Sequence, residues 1–419
     1  MMLTLFRNAG IWTPEDTGAP ARGPGQGRVS RWNHGCLLCR DGRIQAVGDE
    51  QAVMRRIHPG EIDQEIDCRG KCMVPGFVDS HTHLCFVAPR EKEFQARLSG
   101  ADYLQILKDG GGILSSVESV RSASEEELFA RTRIRALSAL RMGTTTMEIK
   151  SGYGLALEPE MKQLRVIARI SRETPLTVVP TFLGAHAVPP EYKGRAEGYV
   201  DSIVTEMIPA VSRAGAARFC DVFCEEGVFS TDQSRTILEA ARAAGMGIRL
   251  HADEMHDTGG AELAASLHAS CADHLLAAGD SGIAAMAGAG VIGVLLPATA
   301  YSMRRPFAPA RTLIDRGLPV AIATDCNPGS SFTESMPFVF GLAVLQMRLS
   351  VPEALTAATL NAAYALGLGH EVGSLTPGKK ADFLLLEGET PAILAFHAGV
   401  SPVAEVFAAG RSVAAKEMT

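Results

Sequence analysis

The sequence carries no excess of positive charge. Forty Lys and Arg stand against 47 Asp and Glu, leaving a net charge of −7. No basic field is present to attract nucleic acid, and none is expected as a partner. Long uninterrupted apolar runs are also missing. The stretch 281–303 has no charge, but it is rich in Ala and Gly and is broken by Pro297. It reads as a helix end, a turn and a buried strand, "GVIGVLLPA", which excludes a membrane span and leaves no membrane partner expected. The opening "MMLTLFRNAGIW" lacks a basic segment followed by an apolar core, so no signal peptide is expected. Nine cysteines, an odd number without a secretion signal, point to reduced thiols in a cytoplasm.

Cys36 and Cys39 form a CxxC, and Cys68 and Cys72 a CxxxC. Together they have the outline of a zinc ribbon. The surrounding "HGCLLCRDGRIQAVG" reads instead as a strand, a turn at Asp41-Gly42 and a second strand. Residues three apart on a strand face opposite ways, so these thiols are expected as small buried hydrophobes.

What is present is a core of ordinary size: 46% of the 419 residues are hydrophobic and 21% are charged. This suits two domains, or one large barrel with an attachment. Residues 1–75 and 369–419 share a texture of short strands and turns, and are expected to pair into one small β-sandwich domain. "PARGPGQG" within the first of them reads as a flexible surface loop. Between them, over 76–368, eight short apolar runs alternate with amphipathic helices. The runs are "GFVDSHTHL", "GTTTMEIKSG", "LTVVPTFLGAH", "RFCDVFCEE", "MGIRLHADE", "ASCADHLL", "GVIGVLLPA" and "LPVAIATDC". Ser124 with Glu127, and Ser230 or Thr231 ahead of Gly245, supply start and stop signals for two of the helices. Eight β-then-α units imply an α/β fold of the (β/α)8 TIM-barrel type, with no sequence repeat behind it.

Such a barrel places its chemistry at the C-terminal ends of its strands. Those ends read His81-Thr82-His83, Lys150-Ser151, His186, Glu225, His251-Ala252-Asp253-Glu254, His274 and Asp325. Five of the eleven histidines fall there, which structural histidines have no reason to do; only "GVIGVLLPA" ends without a reactive group. The pair His81 and His83 alone is weak, since eleven histidines yield about 0.3 HxH pairs by chance. The whole set is stronger: side chains two apart on a strand face one way, and imidazoles joined by a carboxylate suit zinc or a similar borderline ion. Asp79 is in phase with the pair and reads as support behind it.

"PGFVDSHTHLCFVAPRE", "EIKSGYGL", "TFLGAHAVPPEY", "HADE", "ATDCNPGSSF" and "GSLTPGKKADF" together resemble the amidohydrolase superfamily over nearly the whole chain. The likeness is strongest to members that hydrolyse a ring amide bearing a carboxylate tail. It implies metal ligands His81, His83, His251 and Asp325. It also implies one divalent or trivalent ion per subunit, Zn2+ or Fe3+, and a homodimer. Lys150 ends the wrong strand to bridge two metals, whereas Glu225 leaves a second ion open. The "HADE" pattern resembles single-metal members and gives Glu254, in the loop past its strand, the acid/base work. Asp325 shares the proton traffic, and His274 is the candidate to stabilise an oxyanion. The carboxylate tail of the substrate requires a cation, for which Arg90 offers a bidentate fork. The family also places Tyr153, His186, Glu254 and Ser330 on the substrate, and Asn327 and Gly329 near the opened product. Two rival readings stay open: a deaminase of a purine- or pyrimidine-like ring on the same barrel, and a barrel without catalysis that serves as an assembly protein. The intact ligand set argues against the second.

Overall fold

A computed structural model describes residues 2–100 apart from 56 and 58, and residues 111–416. Its strands are β1 (Leu3–Pro14), β2 (Val29–Arg40), β3 (Arg43–Asp49), β4 (Gln64–Asp67), β5 (Cys72–Pro75), β6 (Phe77–Asp79), β7 (Thr144–Lys150), β8 (Thr177–Ala185), β9 (Phe219–Cys224), β10 (Gly247–Ile248), β11 (Leu250–Ala252), β12 (Cys271–His274), β13 (Ile292–Leu295), β14 (Val320–Ile322), β15 (Phe383–Leu386), β16 (Val403–Ala408) and β17 (Arg411–Ala415). They form two sheets.

The first sheet takes strands from both ends of the chain, in the order β17-β16-β15-β5-β1-β2-β3 with β4 beside β1. Its two ends fold over one core. The rings of Phe383 and Phe407 stack at 4.5 Å, and Phe6 of β1 meets them edge-on at 4.8 and 5.2 Å. The turn at Asp41-Gly42 forms as the sequence indicates, with both residues at positive φ. Cys36 and Cys39 lie in separate apolar clusters, and all nine cysteines are free and buried; among the described residues no cysteine joins a metal-sized group.

The second sheet is a barrel of parallel strands in sequence order, β6, β7, β8, β9, β11, β12, β13 and β14, with the two-residue β10 beside β9. All eight apolar runs become barrel strands. Parallel strands covered by helices are buried on both faces, which is why these runs read as near-continuous hydrophobes. The helices between them start where capping chemistry allows. Ser124 Oγ accepts from Glu127 N, and Ser230 forms a reciprocal capping box with Gln233. Residues 281–303 contain a helix that ends at Gly290 in the left-handed region, then β13, then a short helix begun by Pro297. No described helix is long and apolar enough to cross a membrane.

Two expectations need correction. "PARGPGQG" is not a flexible surface loop. It forms a 3-10 turn, Gly23–Gly27, whose buried Gln26 exchanges both hydrogen bonds of its amide with the backbone of Val320 (3.0 and 3.1 Å). A polar side chain that completes the unpaired start of β14 is structural glue, whatever the loop-like composition around it. His81 and His83 are not inside a strand, because β6 ends at Asp79. They flank Thr82, which bridges to Cys326 beyond β14. Asp325 N donates to His81 O and His83 N to Cys326 O, both at 3.0 Å. The backbone that carries the histidines therefore closes the barrel seam, and that pairing keeps the two side chains on one side.

Candidate metal centre and its surroundings

Four atoms converge at this seam. His83 Nε2 lies 3.2 Å from His81 Nε2 and 3.2 Å from His251 Nε2, and Asp325 Oδ1 lies 3.4 Å from both His81 Nε2 and His83 Nε2. A tetrahedral ion with bonds of about 2.0–2.1 Å spaces its ligands by roughly 3.3–3.4 Å; the three imidazoles form one metal-sized group, and Asp325 Oδ1 stands at that spacing from two of them. The tautomers agree. His81 Nδ1 lies 2.7 Å from Asp273 Oδ2, and His251 Nδ1 lies 3.0 Å from Asp221 Oδ1. A carboxylate only accepts, so both Nδ1 atoms carry the proton and both Nε2 lone pairs face inward. Converging lone pairs beside a carboxylate in a buried site call for a cation, and the donor set fits a metal of the zinc or iron type.

Burial holds these groups away from their ordinary ionisation. It drives His81 and His83 well below the usual imidazole range, assisted by Lys150 and the neighbouring imidazoles. Burial also lowers His274, and it brings His186 to about 3. His251 is the exception: burial opposes its charge, but the Asp221 carboxylate outweighs that and raises it. Asp325 is pushed up to about 6 by burial, against a hydrogen bond from Thr299 Oγ1 at 2.5 Å.

Behind the four atoms lies a buried ionic layer. Lys150 Nζ donates to Glu148 (2.8 Å) and Asp221 (2.7 Å), and Arg249 Nη2 donates to Asp273 (2.9 Å) and to Ser80 O (2.7 Å). Glu148 also accepts from Thr82 N at 3.0 Å. Five charged side chains thus tie β7, β9, β12 and the link between β10 and β11 to the segment carrying the histidines. Sequence reading missed Asp221, Asp273, Glu148 and Arg249. A signal existed in charged residues set inside apolar runs, two of them two positions ahead of Lys150 and His251 and so on the same face. It also missed Thr299, which supplies the contribution of the β13 unit. We expect Asp273→Asn to weaken metal binding about 10–100-fold, because it loosens the ring it orients. Competition against a chromophoric chelator measures this, and an unchanged affinity would contradict it.

The other expected residues fall as follows. Glu254 lies past the end of β11, with Oε2 3.6 Å from His274 Nε2. Asp253, at φ +50, turns the chain there by accepting from Thr258 N, Gly260 N and Ala261 N. Asp253, His274 and Asp325 all take positive φ without being glycine, so backbone strain gathers at the strand ends that carry the site. Glu254 is pushed up to about 7 by burial, then by the Asp325 charge. Glu225 is spent elsewhere: it accepts from Met255 N (2.8 Å) and meets His256 Nδ1 (3.0 Å), steadying the loop beside Glu254. It does not join the four converging atoms. Asp79 accepts from Thr324 N (3.0 Å) and Oγ1 (2.6 Å), so it locks the seam ahead of Asp325 rather than a histidine ring.

The ring of His186 stacks on His83 at 4.8 Å, and the ring of Tyr153 lies 5.3 Å from His186. Arg90 is held by its backbone, which donates to Pro328 O at 2.8 Å, and its Nη1 lies 3.4 Å from Ser116 Oγ. Its guanidinium rests on Gly329, where an added Cβ would come within 1.7 Å of Nη2. Asn327 Oδ1 accepts from Gly329 N and Ser330 N (both 2.8 Å), and its Nδ2 donates to Asp325 O (2.8 Å) and Ser330 Oγ (2.9 Å). The "NPGSS" turn is therefore built by its own asparagine, and the Ser330 hydroxyl proton stays available.

Comparison with known proteins places this geometry. The Amidohydrolase family profile matches residues 72–413. The imidazolonepropionase of Syntrophobacter fumaroxidans is 60% identical over 407 residues, covering 97% of this chain and 96% of that one. The imidazolonepropionase of Desulfotalea psychrophila is 58% identical, covering 98% and 99%. Among solved structures, E. coli guanine deaminase superposes with a TM-score of 0.72 at 17% identity over 100% of both chains. A 5-methylcytosine deaminase from Klebsiella pneumoniae gives 0.72 at 15% identity over 99% of both. At such identities the two deaminases establish the shared fold alone.

Proposed function

The chain belongs to the amidohydrolase family and, within it, to the imidazolonepropionases, and on that premise we propose how its residues open the ring of 4-imidazolone-5-propanoate. Water adds across the ring amide C–N bond, and the product is N-formimidoyl-L-glutamate, as in L-histidine degradation. The observation that carries the assignment is the near-full-length likeness to proteins of that name, joined to three converging imidazoles with the Asp325 carboxylate beside two of them.

His81, His83, His251 and Asp325 hold one ion, Zn2+ or Fe3+, since nitrogen and oxygen donors suit both. Such an ion, when bound, polarises the ring carbonyl and brings the pKa of a water toward about 7. Glu254 takes the proton of the attacking water and returns it to the ring nitrogen as the C–N bond breaks; a carboxyl near 7 suits both directions. Asp325, whose Oδ2 accepts from Thr299 Oγ1, shares this proton traffic. His274 stays neutral, with Nε2 3.6 Å from Glu254 Oε2, and is the residue assigned to steady the developing oxyanion. Arg90 pairs with the propionate, and Tyr153, His186, Glu254 and Ser330 contact the ring. Asn327 and Gly329 line the side on which the opened product lies. The proposal extends to a cytoplasmic homodimer, the location supported by nine buried free thiols.

The direct test is loss of the ultraviolet absorbance of the imidazolone on adding metal-loaded enzyme, with no ammonia released. Ammonia release from a purine or pyrimidine ring would instead establish a deaminase. Arg90→Met should raise KM about 30-fold or more and change kcat far less, because it removes a charge pair that a neutral base would not use. An Arg90→Met enzyme with wild-type KM would remove the carboxylate contact.

A further inference from the structure

The segment Ser151–Leu155 carries Tyr153 from β7 to the helix Leu157–Glu173. Side chains, rather than other backbone, hold most of its polar groups. Glu160, fully buried, accepts from Gly152 N (3.0 Å), Gly154 N (2.7 Å) and Leu155 N (2.8 Å). Gln163, one turn on and equally buried, accepts from Tyr153 N at 3.0 Å and donates to Cys85 O at 2.8 Å. From the helix Ile113–Ser122, Arg121 donates to Gly154 O (2.7 Å) and Leu155 O (3.3 Å) and pairs with Glu191. An anion thus gathers the N–H groups and a cation the carbonyls of the same short loop.

The loop does not take this shape on its own account. Gly152 sits at φ +107 and Leu155 at φ +50, and a Cβ on Gly154 would lie 2.4 Å from Glu160 N. Gly154 therefore makes room for the protein's own helix, and Gly152 for the His186 ring and Leu183, each 3.0 Å from a Cβ placed there. One peptide then reaches the site. Its N–H is that of Tyr153, taken by Gln163, and its carbonyl is that of Gly152, which accepts from His186 Nδ1 at 2.9 Å. A proton on Nδ1 leaves Nε2 of the neutral ring as an acceptor, and among the described residues nothing in the protein bonds to it.

We propose that Glu160 and Gln163 are positioning residues for substrate recognition: through this loop they set Tyr153 and present His186 Nε2 as an acceptor for an N–H of the substrate ring. The inference rests on the reading of Tyr153 and His186 as substrate contacts. Neither Glu160 nor Gln163 touches reacting atoms, so the consequence falls on substrate affinity.

Glu160→Gln puts an NH2 group where the carboxylate received an N–H. Steady-state kinetics of the full metal-loaded chain with 4-imidazolone-5-propanoate should show KM raised about tenfold and kcat within about threefold. Metal content by elemental analysis should not change. In a Tyr153→Phe/His186→Ala background the same substitution should raise KM by no more than about threefold, because the partners it acts through are gone. Gln163→Met provides a second variant with the same signature should Glu160→Gln fold poorly. An unchanged KM in both variants, or an equal penalty with and without Tyr153 and His186, overturns the proposal. So does a fall in kcat that tracks metal loss. If Tyr153→Phe and His186→Ala leave KM untouched in the otherwise wild-type enzyme, the substrate reading fails, and this inference fails with it.

Discussion

Glu254→Gln is expected to lower kcat about a thousandfold while leaving one metal ion per chain. The variant keeps the shape and hydrogen-bonding reach of the side chain, and it removes only the ability to carry a proton. The position of Glu254 makes this test clean. It stands three residues past His251 on a loop turned by Asp253 and steadied by Glu225, so the substitution disturbs neither the convergent ligand atoms nor the ionic layer behind them. The pH profile adds a sign. Burial and the Asp325 charge raise the Glu254 carboxyl to about 7. As the base it must be ionised, so kcat/KM of the wild type should fall as the pH drops below the Glu254 pKa, and the Gln variant should lack that limb. Steady-state kinetics across the acid and neutral range, with elemental analysis, decide the matter. A kcat within about tenfold of wild type would move the acid/base role to Asp325 or His274.

Metal removal is expected to have the second large effect. Dialysis against a strong chelator should cut turnover at least about a thousandfold, and one equivalent of Zn2+ or iron should restore it. The same treatment should lower the thermal midpoint, since a ligand bound by the native state alone stabilises it by mass action. The physical source is visible at the seam. His83 Nε2 lies 3.2 Å from both His81 Nε2 and His251 Nε2, and Asp325 Oδ1 lies 3.4 Å from His81 and His83, so these lone pairs repel one another when no cation sits among them. The backbone of His81, His83 and Asp325 also closes the barrel between β6 and β14, so the repulsion acts where the fold is joined. Calorimetry with and without the ion checks this, and a midpoint indifferent to the metal would deny the coupling.

Much of the molecule was legible before any coordinates. Apolar runs of strand length alternating with capped helices specify a β/α barrel, because each run must be buried on both faces. Strand ends carrying His81, His83, His251, His274 and Asp325 mark one rim, since a parallel barrel brings all its C-terminal strand ends together. Where reading failed, composition misled. "PARGPGQG" has the residues of a loose loop, yet Gln26 completes the edge of β14 from 294 residues away. "GVIGVLLPA" offered no reactive group, yet Thr299 just beyond it bonds to Asp325.

By itself the sequence determined the barrel and the rim on which His81, His83, His251, His274 and Asp325 stand. Those features follow from local period and from the order of strands, which any short window of the chain expresses. Only the tertiary structure decided which partner each group has. His81 is oriented by Asp273, 192 residues further on, and His251 by Asp221 on a neighbouring strand. Glu225 is drawn away from the centre by the loop after β11, and the tautomer of His186 is set through a peptide that Gln163 holds. Hydrogen bonds act over about 3 Å, and closing the barrel is what brings groups so distant along the chain within that range.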